Sequence, residues 1–292
     1  MKKNKSFFIT AWNRNEILID SIYSLTRADK YDEYNKFIIY QDCNNEQKDK
    51  IKKIDPEIKI IEKTYAQNIP VYQKMYLNLY EGFEQTFEKI NSNFSIHLED
   101  DIIVNKNLFT FYEYALNKYN NDTNFFAVNG MSKEFTDSNF DYSYSKFIWG
   151  ICKCWGIYKN RWPTLKKIWQ DYYSKDINLN NPYDGPIENY IKKNIKYVIM
   201  PYRSLILEQL SDGCNSVNNP NYPGFKEWYL SFNNENKPLN LNFSSKMPYS
   251  WRQDCIKYNF KNKLYLKIYY YLKKVIPSKI RKKLKSLSKH LF

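Results

Sequence analysis

From Ser6 to Tyr119 the chain alternates short strand-like runs with longer amphipathic ones, and that rhythm admits few folds. Ser6 to Ala11 reads as a strand, and Glu16 to Ala28 as a helix whose apolar stripe is Ile17, Ile19, Ile22, Tyr23 and Leu25. Lys36 to Gln41 is a second strand, Asn45 to Ile54 a helix and Ile58 to Glu62 a third strand. A long amphipathic helix over Tyr72 to Ile90 leads into a fourth strand, Phe94 to Leu98. Strand and helix taking turns is the signature of an α/β fold, here a Rossmann-like half with ligand groups expected at the carboxyl ends of its strands.

The fourth strand ends in Glu99-Asp100-Asp101. Adjacent carboxylates repel and resist burial, so a strand end in apolar surroundings tolerates them best beside a cation or a hydrogen-bonding ligand. Mg²⁺ and Mn²⁺ suit such a place, because they take one or two protein carboxylates and complete their shell with water and phosphate oxygens. Strand geometry puts Glu99 and Asp101 on one face, with His97, and Asp100 on the other with Leu98. One face is then available for a metal and the other for sugar or ribose hydroxyls. A solvated acidic turn is the alternative, and His97 reads as a packed strand residue before it reads as a ligand.

Beyond the cluster, Asn107 to Tyr119 is a helix and Phe125 to Asn129 a short strand. Trp149 to Trp162 reads as a set of Trp- and Cys-rich turns, 184 to 195 as helical, Tyr197 to Pro201 as a strand and 208 to 250 as loop-rich. Trp149, Trp155 and Trp162 stand six and seven residues apart and suit either the core or the floor of a sugar site. Asp212-Gly213-Cys214 suits either a lid hinged at Gly213 or an ordinary turn. Residues 1–250 are expected to form one catalytic body and 251–292 a separate tail.

The net charge of +14 is unevenly placed: twelve of the 45 Lys and Arg lie from Lys257 onward with no acid among them, leaving a body in which 33 bases nearly match 31 acids. A basic segment rather than a basic domain argues against a nucleic-acid reader. Ile280, Leu284, Leu287 and Leu291 repeat at helical spacing among lysines, a pattern that lies in an anionic headgroup layer with about 1 kcal/mol per basic residue. The tail therefore points to an anionic membrane surface met from the cytoplasmic side, with packing on the body as the alternative. Five scattered cysteines with no Cys-x-x-Cys and two histidines argue against a zinc or disulfide framework. The absence of a P-loop, a Gly-x-Gly-x-x-Gly run or a Ser-His-Asp set leaves kinase, dinucleotide and hydrolase readings without their parts.

Three strand ends finish in polar residues: Asn13-Arg14, Gln41-Asp42-Cys43 and Glu99-Asp100-Asp101-Ile102. With Tyr72-Gln73-Lys74 on the long helix, their order and spacing resemble the N-acetylglucosaminyltransferase I family and its GT-A-fold relatives. The resemblance continues more weakly through Cys154-Trp155, Trp162, Tyr183-Asp184-Gly185, Met200-Pro201 and Ser211-Asp212-Gly213, so it covers roughly residues 6 to 218.

The resemblance implies a GT-A nucleotide-sugar fold with a mixed central sheet. It implies Mn²⁺ or Mg²⁺ on Asp101, bridging the diphosphate of a nucleotide sugar, with Arg14, Asp42, Lys74, Asn78, Glu99 and Asp100 in the donor site. Asn78 stands where the family has a histidine. Asp184 falls at the family's catalytic base, and Glu188, one helical turn on, shares its face and is the other candidate. Either is also a plain helix N-terminal carboxylate. The expected activity is metal-dependent, inverting transfer from a UDP-sugar to a surface-glycan or lipid-linked acceptor. The rival readings are a nucleotidyl- or phosphotransferase, which releases pyrophosphate, and a non-enzymatic polyanion adaptor acting through the tail.

Overall fold

A computed structural model of the chain describes residues 3–131, 144–147, 150–151, 153–173, 183–201 and 204–209. The basic tail, the expected lid at Asp212-Gly213, the boundary near residue 250 and Trp149 lie outside the described residues.

The first half follows the alternation read from the sequence: β1 (Lys5–Trp12), α1 (Asn15–Thr26), β2 (Asn35–Gln41), α2 (Asn45–Ile54), β3 (Lys59–Lys63), α3 (Val71–Glu84) and β4 (Phe94–Glu99). Then come β5 (Ile102–Val104), α4 (Leu108–Tyr119), β6 (Phe125–Asn129), β7 (Tyr144–Phe147), β8 (Cys154–Tyr158), α5 (Trp162–Tyr173), α6 (Asp184–Lys193), β9 (Tyr197–Pro201) and β10 (Ile206–Glu208). The expected long helix is two pieces, α3 and a π-helical segment over Gln85–Ile90. Its end is fixed by Asn91 in the left-handed region, at φ 67°.

Eight described strands form one mixed sheet in the order β3-β2-β1-β4-β8-β6-β9-β7, while β5 and β10 pair separately. β3, β2, β1 and β4 are parallel, and β8 runs antiparallel between β4 and β6. The α/β class, the Rossmann-like first half and the mixed central sheet are thus as expected. The Trp- and Cys-rich stretch is not a set of turns, however. It supplies a central strand, Cys154–Tyr158, and the start of α5.

Helices cover both faces of the sheet. Because side chains alternate along a strand, Phe7 and Ile9 of β1 enter one core with Leu18, Ile22 and Leu25 of α1, while Phe8 enters the other with Leu79 and Phe83 of α3. The second core also takes Trp155 and Trp162, both buried, so these two are packing residues and not a sugar floor. Asn44 caps α2 by accepting a hydrogen bond from the Gln47 N–H at 2.9 Å.

At the amino ends of the strands, charges are paired: Lys36 with Asp55 at 2.8 Å, and Lys5 with Glu113. The carboxyl ends differ, because the crossovers reverse direction between β1 and β4. β2 and β3 build outward on one side of β1, and β4 returns on the other. In an open α/β sheet such a switch point leaves a crevice beyond the strand ends, the usual ligand position.

α3 lies close to β1 because Gly82 faces the Phe8 ring, where an added Cβ would stand 2.1 Å from a ring carbon. Phe8 is itself wedged against Phe37, Phe83 and His97 and has nowhere to retreat. Gly82→Ala is therefore expected to destabilise by about 1–3 kcal/mol, overpacking outweighing the gain in helix propensity. Chemical denaturation measures it, and a neutral or stabilising result would contradict this packing.

Candidate active site at the carboxyl ends of two strands

Asn13, Asp42 and Lys153, at φ 56°, 57° and 53°, all adopt the left-handed backbone at the strand ends that border the crevice. Asn and Asp tolerate that region, but a lysine there costs of the order of 1 kcal/mol or more, and such strain gathers at functional sites.

Arg14, just past β1, reaches across to the acidic turn after β4. Its Nη1 lies 2.7 Å from Asp101 Oδ2 and 3.3 Å from Asp100 Oδ1. The Trp12 N–H donates to Asp100 Oδ2 at 3.1 Å. Opposite, Lys153 Nζ lies 3.0 Å from Glu99 Oε2 and 3.1 Å from Asp101 Oδ2. Glu99 and Asp101 therefore share Lys153, while Asp101 and Asp100 share Arg14; β4 ends at Glu99, so Asp100 and Asp101 lie in a turn and the clean division of faces expected of a continuing strand is not kept. The Tyr183 hydroxyl donates to Glu99 Oε1 at 3.1 Å.

The turn is fixed from behind. Ser21 of α1 donates to the Asp100 carbonyl at 2.7 Å, and the Gln209 N–H donates to the Asp101 carbonyl at 2.7 Å. Gln209 also donates through Nε2 to Ser21 Oγ at 3.1 Å. The β5–β10 pair brings Gln209 there.

Burial pushes the Asp100 carboxyl up to about 7, with Asp101 adding to the rise and Arg14 opposing it. Burial likewise raises Glu99 against the pull of Lys153. Burial disfavours the Arg14 charge, yet Asp100 and Asp101 outweigh it and raise its pKa. His97 is lowered to about 3 by burial and exchanges a hydrogen bond with Thr10 at 2.9 Å, so it is a neutral packed histidine.

Asp184, at the first turn of α6, is the second acidic feature. Burial and then the Glu188 carboxylate lift it to about 6, with Glu99 contributing, so it belongs to the same electrostatic field as the cluster. Glu188 accepts from the Gly150 N–H at 3.3 Å and pairs with Lys192 at 3.2 Å.

The expected donor-site residues divide. Arg14, Glu99, Asp100 and Asp101 come together with Tyr183, the neighbour of Asp184. Asp42 is exposed at the end of β2, held by its N–H to the Lys63 carbonyl and by Gln41 Nε2 to its side chain, and makes no contact with the cluster among the described residues. Asn78 is buried and its Oδ1 accepts from the Tyr65 hydroxyl at 2.7 Å, a packing role. Lys74 is half-buried in the first turn of α3 and joins no described ion pair with these carboxylates. Lys153, Tyr183, Ser21 and Gln209 were not signalled as site residues by the sequence.

For Mn²⁺ or Mg²⁺, the oxygen chemistry of Glu99 and Asp101 is suitable, but the arrangement does not fit an ion as it stands. The point the two carboxylates share is filled by the Lys153 ammonium, and among the described residues no three His, Cys, Asp or Glu side chains converge to hold a metal.

No protein-family model matches the sequence, and no curated protein matches it. Among solved structures the chain is similar to mannosyltransferase PcManGT from Pyrobaculum calidifontis in complex with GDP-Man and Mn²⁺, at 7% identity and TM-score 0.46 over 72% of this chain and 58% of that one. It thus spans less than two thirds of that protein's length. It is also similar to galactosyltransferase LgtC in complex with donor and acceptor sugar analogs, at 11% identity and TM-score 0.43 over 85% of this chain and 99% of that one. A third is a cytidylyltransferase from Leptospira borgpetersenii, at 8% identity and TM-score 0.43 over 72% of this chain and 83% of that one. At these TM-scores none of the likenesses carries an argument about activity, which rests on the geometry of the site.

The Asp101 side chain is 3% exposed, so removing Arg14 leaves a nearly buried charge short of a partner. Arg14→Met is expected to cost about 3 kcal/mol, and Asp101→Asn in that background to recover part of it. A double-mutant cycle by urea denaturation should give a coupling of about 1 kcal/mol or more. Additive single effects would show that the pair is not formed.

Proposed function

We propose that the protein is a GT-A-type inverting glycosyltransferase that moves a sugar from a nucleoside-diphosphate donor, expected to be a UDP-sugar such as UDP-GlcNAc or a related hexose, to a hydroxyl of a glycan or glycolipid acceptor. The observation that carries this reading is a cation-bearing acidic turn at the β1–β4 switch point, tied through the Tyr183–Glu99 hydrogen bond to the start of the helix that bears Asp184, a carboxyl lifted to about 6.

The two groups serve opposite ends of one displacement. The acceptor oxygen attacks the anomeric carbon and gives up its proton to Asp184, a base whose pKa stands close to neutral pH. The bond from that carbon to the diphosphate oxygen breaks, and the electron pair leaves with the nucleoside diphosphate. Positive charge fixed beside the strand ends offsets the negative charge gathering there. The resemblance implies Mn²⁺ or Mg²⁺ on Asp101 as the source of that charge, whereas Arg14 and Lys153 are the cations that contact the cluster here. Tyr183 and Ser21 hold the acidic turn in place, and the Glu188 carboxylate raises the pKa of Asp184. Attachment to an anionic membrane through 257–292, on the cytoplasmic side, and a surface-glycan or lipid-linked acceptor complete the proposal.

Incubation with a panel of nucleotide sugars and acceptors, read by release of nucleoside diphosphate and by anomeric configuration in NMR, tests it. Release of pyrophosphate instead would favour nucleotidyl transfer. Asp184→Asn is expected to lower kcat/KM by about 100-fold or more. In the wild type, activity should fall as pH drops through about 6, because Asp184 then takes up a proton before it can act as a base. Glu188→Gln removes a like charge and should move that acid limb to lower pH. An acid limb that persists unchanged in Asp184→Asn would assign the base to another residue.

A further inference from the structure

The position that a divalent ion would take between Glu99 and Asp101 belongs to a side chain of this protein. β8 runs antiparallel to β4 with Leu98 opposite Cys154, and the next rung places Lys153 beside Glu99, whose N–H donates to the Lys153 carbonyl at 2.8 Å. The left-handed backbone at Lys153, φ 53°, is an unfavourable conformation for a lysine and is retained as the side chain crosses to both carboxylates. Nζ then stands 3.0 Å from Glu99 Oε2, and 3.1 and 3.4 Å from the two Asp101 oxygens.

Arg14 grips Asp101 from the other side at 2.7 Å. Two cations are thereby held by three carboxylates at the mouth of the crevice, where a diphosphate would lie. An ammonium can exchange a carboxylate oxygen for a phosphate oxygen by a small rotation, and guanidinium forks suit phosphate geometry. Metal–oxygen bonds of Mg²⁺ are about 2.0–2.1 Å, so an ion and the ammonium cannot occupy the shared point together.

On the glycosyltransferase reading, we propose that Lys153 is the cation of this site. Its ammonium, with Arg14, neutralises the departing diphosphate, so transfer proceeds without a divalent metal. The bond broken is the one between the anomeric carbon and the diphosphate oxygen, the proton of the acceptor goes to Asp184, and Lys153 keeps its own protons throughout. Metal and Lys153 compete for the same carboxylate pair, so removing the lysine creates a metal requirement that the wild type lacks.

Wild-type protein, Lys153→Met and Lys153→Arg are compared in EDTA and in MnCl₂, by donor turnover, by calorimetric binding of UDP and by calorimetric binding of Mn²⁺ alone. The wild type is expected to bind UDP and turn over equally in both conditions. Lys153→Met should lose about 100-fold in EDTA, bind Mn²⁺ where the wild type does not, and regain turnover with it. Lys153→Arg should restore much of the metal-free turnover, since the charge is kept. Wild-type activity and UDP binding that vanish in EDTA and return with Mn²⁺ would overturn the role of Lys153 and leave the transferase reading standing. That arm needs no variant, so it decides the matter even if Lys153→Met fails to fold. Absence of UDP binding and of turnover in both conditions would overturn the two together.

Discussion

The structure turns on a charge problem at one strand end. Glu99, Asp100 and Asp101 follow one another where β4 leaves the sheet, and carboxylates so close cannot all be ionised and buried without nearby positive charge. Arg14 from the end of β1 and Lys153 from the start of β8 supply it. This constrains three strands at once: β1, β4 and β8 must be neighbours, in that order and with those registers, for the ion pairs to close. The β5–β10 ladder adds a fourth tie, through Gln209 to the carbonyl of Asp101.

On the proposed function, the same arrangement makes a binding site. At the amino ends of the strands the charges also cluster, Lys36 with Asp32, Asp55 and Glu57 and Lys5 with Glu33 and Glu113, and the aromatic core closes behind them. At the carboxyl ends the cations are shared among several acids and stand at the switch point of the sheet, where a phosphate group can compete for them. Asp184, on a helix from the opposite end of the described chain, shares their electrostatic field through Glu99, and Tyr183 beside it is bonded to Glu99 directly. A base for an incoming hydroxyl and a positive pole for an outgoing diphosphate are what displacement at a sugar carbon requires.

Much of this was legible in the sequence. Apolar periodicity located β1 to β4 and α1 to α4: β1, β2 and β4, buried on both faces, read as near-continuous apolar runs, and α1, α3 and α4 carry apolar stripes. The polar strand ends marked Arg14 and the acidic trio, and helical spacing paired Asp184 with Glu188. What escaped was non-local. Cys154–Tyr158 is short and interrupted by Gly156, and resembles a turn until β4 and β6 are placed on either side of it. Lys153 is one of many lysines, and only the register of β8 against β4 singles it out. The resemblance places Asp42 and Asn78 with Arg14 in the donor site, yet Asn78 is buried and accepts from Tyr65, and Asp42 is exposed, so neither joins the cluster among the described residues.

The central claim is that the crevice between β1 and β4 binds a diphosphate through cations borne by the chain itself. A crystal structure with UDP, grown in EDTA, tests it most directly. The account predicts the diphosphate at the carboxyl ends of β1 and β4, with phosphate oxygens within hydrogen-bond reach of Lys153 Nζ and Arg14. UDP bound elsewhere on the protein, or bound there with both side chains still turned wholly to the carboxylates, would contradict it.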